Sequence, residues 1–167
     1  MKKRFGIRKG TFIENKRAKY LKRFYNLKHI GFKDLGKIKS QINNFDFIVN
    51  ASTNKNYINK KYNEKSDNDY KIANLINNKK IIYIFLSTRK VYPSKKNLNE
   101  SNKLLPKSNY SKNKLISEKK LIKIIGKNLT ILRVSNIIGE RNLTNKIHHT
   151  FVDVFFENIK KGLIIDN

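Results

Sequence analysis

The chain has no cysteine. That excludes disulfides, thiolate nucleophiles and cysteine-based zinc sites, and it fits a reducing cytoplasm, the expected location. It also lacks a long apolar run. The longest, Ile81–Leu86, is far short of the ~20 residues that a membrane-spanning helix needs. No membrane association is therefore expected. The first ten residues, Met1 to Gly10, are basic but contain no apolar stretch of the secretory kind. The two prolines, Pro93 and Pro106, both fall in the Val91–Asn109 stretch, which shows no periodicity and reads as a loop. Acid is scarce: 12 Asp+Glu stand against 38 Lys+Arg, a formal net charge of +26. Such a surplus attracts phosphate. The cations are spread along the whole chain among abundant Asn and Ile, the residues that A/T-rich codons specify. Base composition accounts for the charge, and specific nucleic-acid binding is not expected. The rival reading is a basic, non-specific nucleic-acid-binding module.

What is present is enough for a core. In 167 residues there are ten Phe and eight Tyr, and 38% of the chain is hydrophobic, which argues for one folded domain. Short strands are expected at Phe5–Ile7, Lys28–Phe32, Phe45–Asn50, Ile81–Ser87 and Leu129–Ser135. Helices are expected at Asn15–Leu27, Leu35–Asn43, Asn68–Asn77 (capped by Ser66 or Asp67), Tyr110–Ile125 (ended by Gly126) and Lys146–Lys161. The strands are continuous apolar runs alternating with helices. That pattern predicts an α/β fold, a Rossmann-like parallel sheet with helices on both faces and Ile81–Ser87 at its centre.

The most informative stretch follows that central strand. Ser87-Thr88-Arg89-Lys90-Val91-Tyr92 ends it, and Tyr110-Ser111-Lys112-Asn113-Lys114 opens the next helix. A free Tyr ionises near pH ~10, too high for a base at neutral pH. A Lys⁺ on the same helix face, one turn on, favours the phenolate. A Thr hydroxyl can hold the substrate oxygen whose proton moves. Thr88, Tyr110 and Lys114 are thus the candidate catalytic set for proton transfer coupled to a nicotinamide hydride transfer. The spacing alone decides nothing, because Tyr57–Lys61 and Tyr92–Lys96 share it; the strand before and the helix after single out Tyr110. His148 and His149 are adjacent and point about 100° apart on a helix, so no metal site is expected. Lys16–Lys28, with Tyr20, Phe24 and Tyr25 interleaved, could stack on bases, but its apolar residues form one stripe and read as a core-facing helix.

With these residues in place, the chain resembles the extended short-chain dehydrogenase/reductases, the NAD-dependent epimerase/dehydratase family of nucleotide-sugar enzymes. Lys33-Asp34-Leu35 is similar to the family's acidic turn at the adenine, and Phe45 to Ser52 to the strand and loop under the cofactor. Asn68 sits where the family keeps a helix asparagine. Ser87 to Tyr92 and Tyr110–Lys114 resemble its catalytic hydroxyl and Tyr/Lys pair, and Leu132 to Arg141 its strand reaching the substrate phosphates. The resemblance implies NAD or NADP as cofactor and a nucleotide-linked sugar as substrate. It implies cofactor contacts at Gly10, Thr11, Phe12, Ile13, Asp34, Leu35, Asn50, Ala51, Ser52, Tyr110 and Lys114, and substrate contacts at Thr88, Asn136 and Arg141. A homodimer is left open. Two domains are implied: a dinucleotide-binding domain over 1–145 and the start of a substrate domain over 146–167.

The departures carry information too. The family's glycine-rich phosphate turn corresponds to Arg8-Lys9-Gly10-Thr11-Phe12-Ile13-Glu14, in which only Gly10 is glycine. Glu14 sets a carboxylate near a diphosphate, so weak dinucleotide affinity is expected. An inactive or cofactor-binding-only remnant of the family is the alternative. Arg89-Lys90 stands where the family's dehydratases carry Asp-Glu, which argues for an epimerase or reductase. No acid closes the second strand before Lys33, leaving room for the 2′-phosphate of NADP.

Overall fold

In the computed structural model the described residues are 4–8, 22–30, 36 and 39–135. Among them five strands form one sheet: β1 (Arg4–Arg8), β2 (Asn26–Ile30), β3 (Phe47–Asn50), β4 (Ile82–Thr88) and β5 (Leu129–Val134). Their order is β2-β1-β3-β4-β5, and every neighbouring pair is parallel. The expected α/β, Rossmann-like fold is what forms; β4 lies between β3 and β5 as expected, but the middle strand of the five is β3, because β1 and β2 both add on its far side. Phe47 pairs with Ile82 on one side of β4, and Tyr83 with Leu129 on the other. β1 is followed by β2 on one side and β3 on the other. The chain therefore reverses direction across the sheet between β1 and β3, and open α/β sheets take ligands at the carboxyl ends of strands beside such a reversal.

Three α-helices are described: α1 (Lys55–Asn59), α2 (Asn68–Ala73) and α3 (Asn109–Ile125). α3 packs on α1, α2 and β4. Burial alternates along β4: Tyr83, Phe85 and Ser87 are buried, while Ile82, Ile84 and Leu86 are half-buried. The buried side meets Ile42, Phe45, Ile48, Ile72, Ala73, Ile81 and Leu121 in one apolar cluster.

The boundaries correct several expectations. The helix expected over Asn15–Leu27 does not reach its end: Lys22–Phe24 turn, and Asn26 and Leu27 pair with β1 instead. Backbone hydrogen bonding to β1 outweighs helical spacing there. The helix expected over Leu35–Asn43 gives way at Ile42–Asn44 to a 3₁₀ turn. α2 stops at Ala73, shorter than Asn68–Asn77, because Asn43 takes the next backbone. Its Oδ1 accepts from Asn77 N (2.7 Å) and Asn78 N (2.9 Å). α1 was not expected at all; Asn54 caps it by accepting from Asn56 N at 2.8 Å. The helix expected over Lys146–Lys161, and with it the proposed boundary at 145, lies outside the described residues.

Candidate active site

The site is built on the amino half of α3. Ser108 caps the helix by accepting from Ser111 N, and the Ser111 side chain accepts from Ser108 N in return. This reciprocal cap fixes where the helix begins. Tyr110 is therefore its second residue, and Lys114 lies one turn on. The expected apolar face of Leu115, Ile122 and Ile125 holds only in part: Leu115 and Ile125 are half-buried, Ile125 against the core cluster. Ile122 is 53% exposed, whereas Ser111, Asn113, Lys114, Ser117, Glu118 and Leu121 are buried. From Lys114 the helix turns a polar stripe toward the sheet through Ser117 (i+3) and Glu118 (i+4), which gives way to apolar Leu121 at i+7.

Most of these polar groups are partnered. Asn113 Nδ2 donates to the carbonyls of Tyr57 (2.7 Å) and Lys60 (2.8 Å), which fastens the end of α1. Ser117 Oγ donates to Asp67 Oδ2 at 2.5 Å and lies 2.6 Å from the Tyr57 hydroxyl. Glu118 is held by Arg133, with Nη2 to Oε2 at 2.7 Å and Nε to Oε1 at 3.2 Å. It also accepts from Ser87 Oγ, and Arg133 in turn reaches the Tyr92 hydroxyl and stacks over that ring at 4.9 Å. This cluster ties α3, β4 and β5 together directly beneath Thr88, and the Glu118 carboxylate and Tyr92 hydroxyl push the Arg133 guanidinium up.

Lys114 is different. It is 4% exposed, and among the described residues its ammonium has neither a hydrogen bond nor an ion pair. Three rings surround it: Phe85 at 4.5 Å, Tyr57 at 5.6 Å and Tyr110 at 5.9 Å from Nζ to the ring centroid. Burial lowers its pKa, while the charges of Asp69, Asp67 and Glu118 work to raise it. The Tyr110 phenol is pushed up, first by burial and then by the Asp69 carboxylate. The expected lowering by Lys114 does not outweigh these two effects.

The remaining sequence-predicted residues divide by position. Thr88 is buried at the carboxyl end of β4; its hydroxyl accepts from Lys90 N at 3.3 Å. Helix α3 packs on the Arg89–Val91 turn that follows it, though no hydrogen bond joins Thr88 to Tyr110. Asn50 and Ser52 form a closed turn after β3: Asn50 Oδ1 accepts from Ser52 N (3.1 Å) and Ser52 Oγ (2.9 Å). Asn68 Nδ2 reaches Ser52 Oγ at 3.4 Å, linking α2 to that turn, and Ala51 is half-buried between. Gly10, Thr11, Phe12, Ile13, Asp34, Leu35, Asn136 and Arg141 lie outside the described residues. Asp67, one of the two caps expected for α2, is that cap; sequence reasoning missed its bond to Ser117, and missed Asp69, Glu118 and the ion pair of Arg133. Their signal was faint: acid is rare in this chain, so an Asp or Glu inside a helix pattern was worth testing for a buried partner.

The sequence matches the NAD dependent epimerase/dehydratase family over residues 6–166. The chain belongs to that family. No curated protein matches the sequence. Among solved structures, this family member is similar to a UDP-N-acetylglucosamine 4-epimerase from Methanobrevibacter ruminantium M1, in complex with UDP-N-acetylmuramic acid. Identity is 22%, the TM-score is 0.70, and the match covers 98% of this chain and 64% of that one. It is similar to a dTDP-4-dehydrorhamnose reductase from Yersinia enterocolitica at 21% identity, with a TM-score of 0.68, over 96% of this chain and 61% of that one. The Bordetella bronchiseptica enzyme WbmG, in complex with NAD, matches at 15% identity and a TM-score of 0.67, over 98% and 61% of the two chains. At these identities the structures speak for the fold alone. The chain spans less than two thirds of the length of each.

Proposed function

We propose that this epimerase/dehydratase-family chain carries the cofactor-binding and proton-transfer half of an NAD(P)-dependent epimerase or reductase acting on a nucleotide-linked sugar. One observation carries the reading: a buried ammonium, Lys114, without a hydrogen-bond acceptor of its own among the described residues, over the Phe85 ring of β4. Burying a cation unpaired costs several kcal/mol. A site that leaves one so placed has room in its chemistry for a ligand that supplies acceptors. The two ribose hydroxyls beside a nicotinamide are such acceptors, so the residues present fit that end of the cofactor.

In this reading Lys114 holds the nicotinamide ribose, and the closed turn of Asn50, Ala51 and Ser52 lies under the cofactor. Gly10 to Ile13 and Asp34–Leu35 hold its diphosphate and adenine ends. Bound there, the nicotinamide supplies the hydride donor or acceptor. Tyr110 gives a proton to the sugar oxygen or takes one from it, and Thr88 orients that oxygen. As an acid Tyr110 needs nothing further, because burial and Asp69 keep its proton on. As a base it needs the Lys114 charge turned toward it. An open cleft of about 1260 Å³ begins at Arg89, the residue after Thr88, and is lined by Tyr92, Lys95, Lys96, Glu100 and Arg133 among others; Thr88, Tyr110 and Lys114 do not line it. Its cations suit the substrate diphosphate, together with Asn136 and Arg141. Arg89 and Lys90 are exposed and offer no acid for eliminating water, which favours epimerase or reductase chemistry over dehydration. No described helix is long and apolar enough to cross a membrane; the cytoplasm is the compartment this reading assigns.

The test is Tyr110→Phe. NADH and NADPH binding, read by fluorescence, should be retained, and nicotinamide-linked turnover of a nucleotide sugar should fall by roughly 10²-fold or more. Unchanged turnover would remove Tyr110 from the chemistry and the reading with it.

A further inference from the structure

Tyr57 is the buried residue of α1, at 3% exposure, yet it stands outside the apolar cluster around Tyr83. Helix α3 grips it at two points. Asn113 Nδ2 donates to its carbonyl at 2.7 Å, and its hydroxyl lies 2.6 Å from Ser117 Oγ. Ser117 directs its own proton to Asp67 Oδ2 at 2.5 Å, the shorter and charge-assisted bond, so the Tyr57 hydroxyl is the donor to Ser117. The Tyr62 ring meets the Tyr57 ring edge-on, with centroids 6.4 Å apart. Carbonyl, hydroxyl and ring are therefore all fixed.

The two gripping residues stand at i−1 and i+3 from Lys114. The helix that carries the ammonium thus also sets the ring beside it. Nζ lies 5.6 Å from the Tyr57 centroid, with Phe85 of β4 at 4.5 Å and Tyr110 at 5.9 Å. All three fall within the ~6 Å over which a ring face attracts a cation. The charged groups that act on this ammonium are Asp69 and Asp67 of α2 and Glu118 of its own helix. Each is engaged elsewhere: Asp67 by Ser117 and Tyr62, Asp69 by Tyr83, and Glu118 by Arg133.

We propose that Tyr57 is a positioning residue: its ring, held by Asn113 and Ser117, is one wall of an aromatic seat that fixes the Lys114 ammonium without pairing its protons. A ring face attracts the charge but takes no N–H into a strong hydrogen bond. The donors stay open to a ligand while the cation stays in place. The buried Asn113 and Ser117 then have a shared purpose, the seating of one ring. The seat does not rest on the cofactor reading above; only its use for a nicotinamide ribose does.

The experiment separates the ring from the hydroxyl. Tyr57→Phe keeps the ring and drops the bond to Ser117, whereas Tyr57→Leu drops both. The 167-residue chain is labelled with ¹³C,¹⁵N-lysine, and the Cε–Nζ correlation of Lys114 is identified by its loss in Lys114→Met. Its titration is followed in the unaltered chain and in both Tyr57 variants, with the fold checked by circular dichroism. The expected result is a Lys114 midpoint at least about half a pH unit lower in Tyr57→Leu, a roughly threefold larger neutral fraction at fixed pH, with the midpoint restored in Tyr57→Phe. A midpoint unchanged in folded Tyr57→Leu, or lowered as far in Tyr57→Phe, overturns the proposal. If Tyr57→Leu does not fold, the unaltered chain decides: the Lys114 ε-protons must show nuclear Overhauser contacts to the Tyr57 ring, and their absence overturns the proposal. NADH titration of the same proteins keeps the two readings apart. Affinity lost in Tyr57→Leu and kept in Tyr57→Phe supports both, whereas a lowered midpoint without NADH binding by any form supports the seat and overturns the cofactor reading.

Discussion

The two halves of α3 follow different rules. Toward its carboxyl end the helix buries Leu121 completely in the apolar cluster with Tyr83 and Phe85, as an amphipathic helix does. Toward its amino end the same face buries Ser111, Asn113, Lys114, Ser117 and Glu118. Burial without hydrogen bonds would make that half unstable. The structure instead supplies partners: backbone carbonyls for Asn113, Asp67 for Ser117, Arg133 and Ser87 for Glu118. Only Lys114 in the stripe is left with rings alone. The contrast teaches where to look for ligand chemistry: at the polar group of this stripe that has no hydrogen bond or ion pair among the described residues.

The comparison can be broken at its strongest point first. Glu118→Ala should leave Arg133 and Ser87 without their acceptor. We expect a loss of about 2–3 kcal/mol in denaturant unfolding, below the ~3–5 kcal/mol of a fully buried pair because the Arg133 left behind is half-buried. Leu121→Ala probes the other half. It should cost about 3 kcal/mol through lost transfer energy and a cavity, and it should leave the Lys114 titration unmoved. If Leu121→Ala shifts the Lys114 titration, the two halves are not separate environments.

A smaller effect appears as pH dependence. The Asp69 carboxyl is pushed up to about 6 from 3.8, chiefly by burial, with Lys114 and the Tyr83 hydrogen bond opposing. The folded chain thus keeps this proton up to about pH 6, and the unfolded chain loses it near pH ~4. Between these values the folded state binds more protons, so stability falls as pH rises through that window. The contribution is at most about 3 kcal/mol. Comparing Asp69→Asn with the unaltered chain between pH 4 and 7 isolates it: the falling component should be absent from the variant.

The sheet was legible because burial on a strand leaves a plain mark. Ile81 to Leu86 is an unbroken apolar run, and it became the strand between β3 and β5. The start and stop of α3 were legible for the same kind of reason: Gly126 ends it with φ +67°, a conformation that glycine adopts without strain. The polar stripe was not legible. Apolar spacing pointed to Leu115, Ile122 and Ile125, because hydrophobic periodicity takes Ser, Asn, Lys and Glu to be outside. Nor was the work of asparagine. Its abundance reads as base composition, yet Asn43, Asn54, Asn63 and Asn113 each bind backbone at a turn, a cap or a helix end. Abundance hides such roles, since a frequent residue carries little information at any one position. Of the candidate site, Tyr110, Lys114 and Thr88 were placed by the strand and helix around them. Burial acts first on Tyr110 and Lys114, and the acids that act after it come from α2 and from one turn further along α3; only three-dimensional packing assembles them.

The central claim is that the unpartnered Lys114 marks the nicotinamide end of a cofactor site. Fluorescence titration of NADH and NADPH against the unaltered chain and Lys114→Met tests it most directly, with both proteins shown to be folded. The account predicts measurable binding of at least one of the two by the unaltered chain. It also predicts a loss of about tenfold or more in Lys114→Met, the ~1.5–3 kcal/mol of hydrogen bonds to a charged group. Equal affinity of the two proteins, or no binding of either nucleotide by the unaltered chain at millimolar concentration, would contradict it.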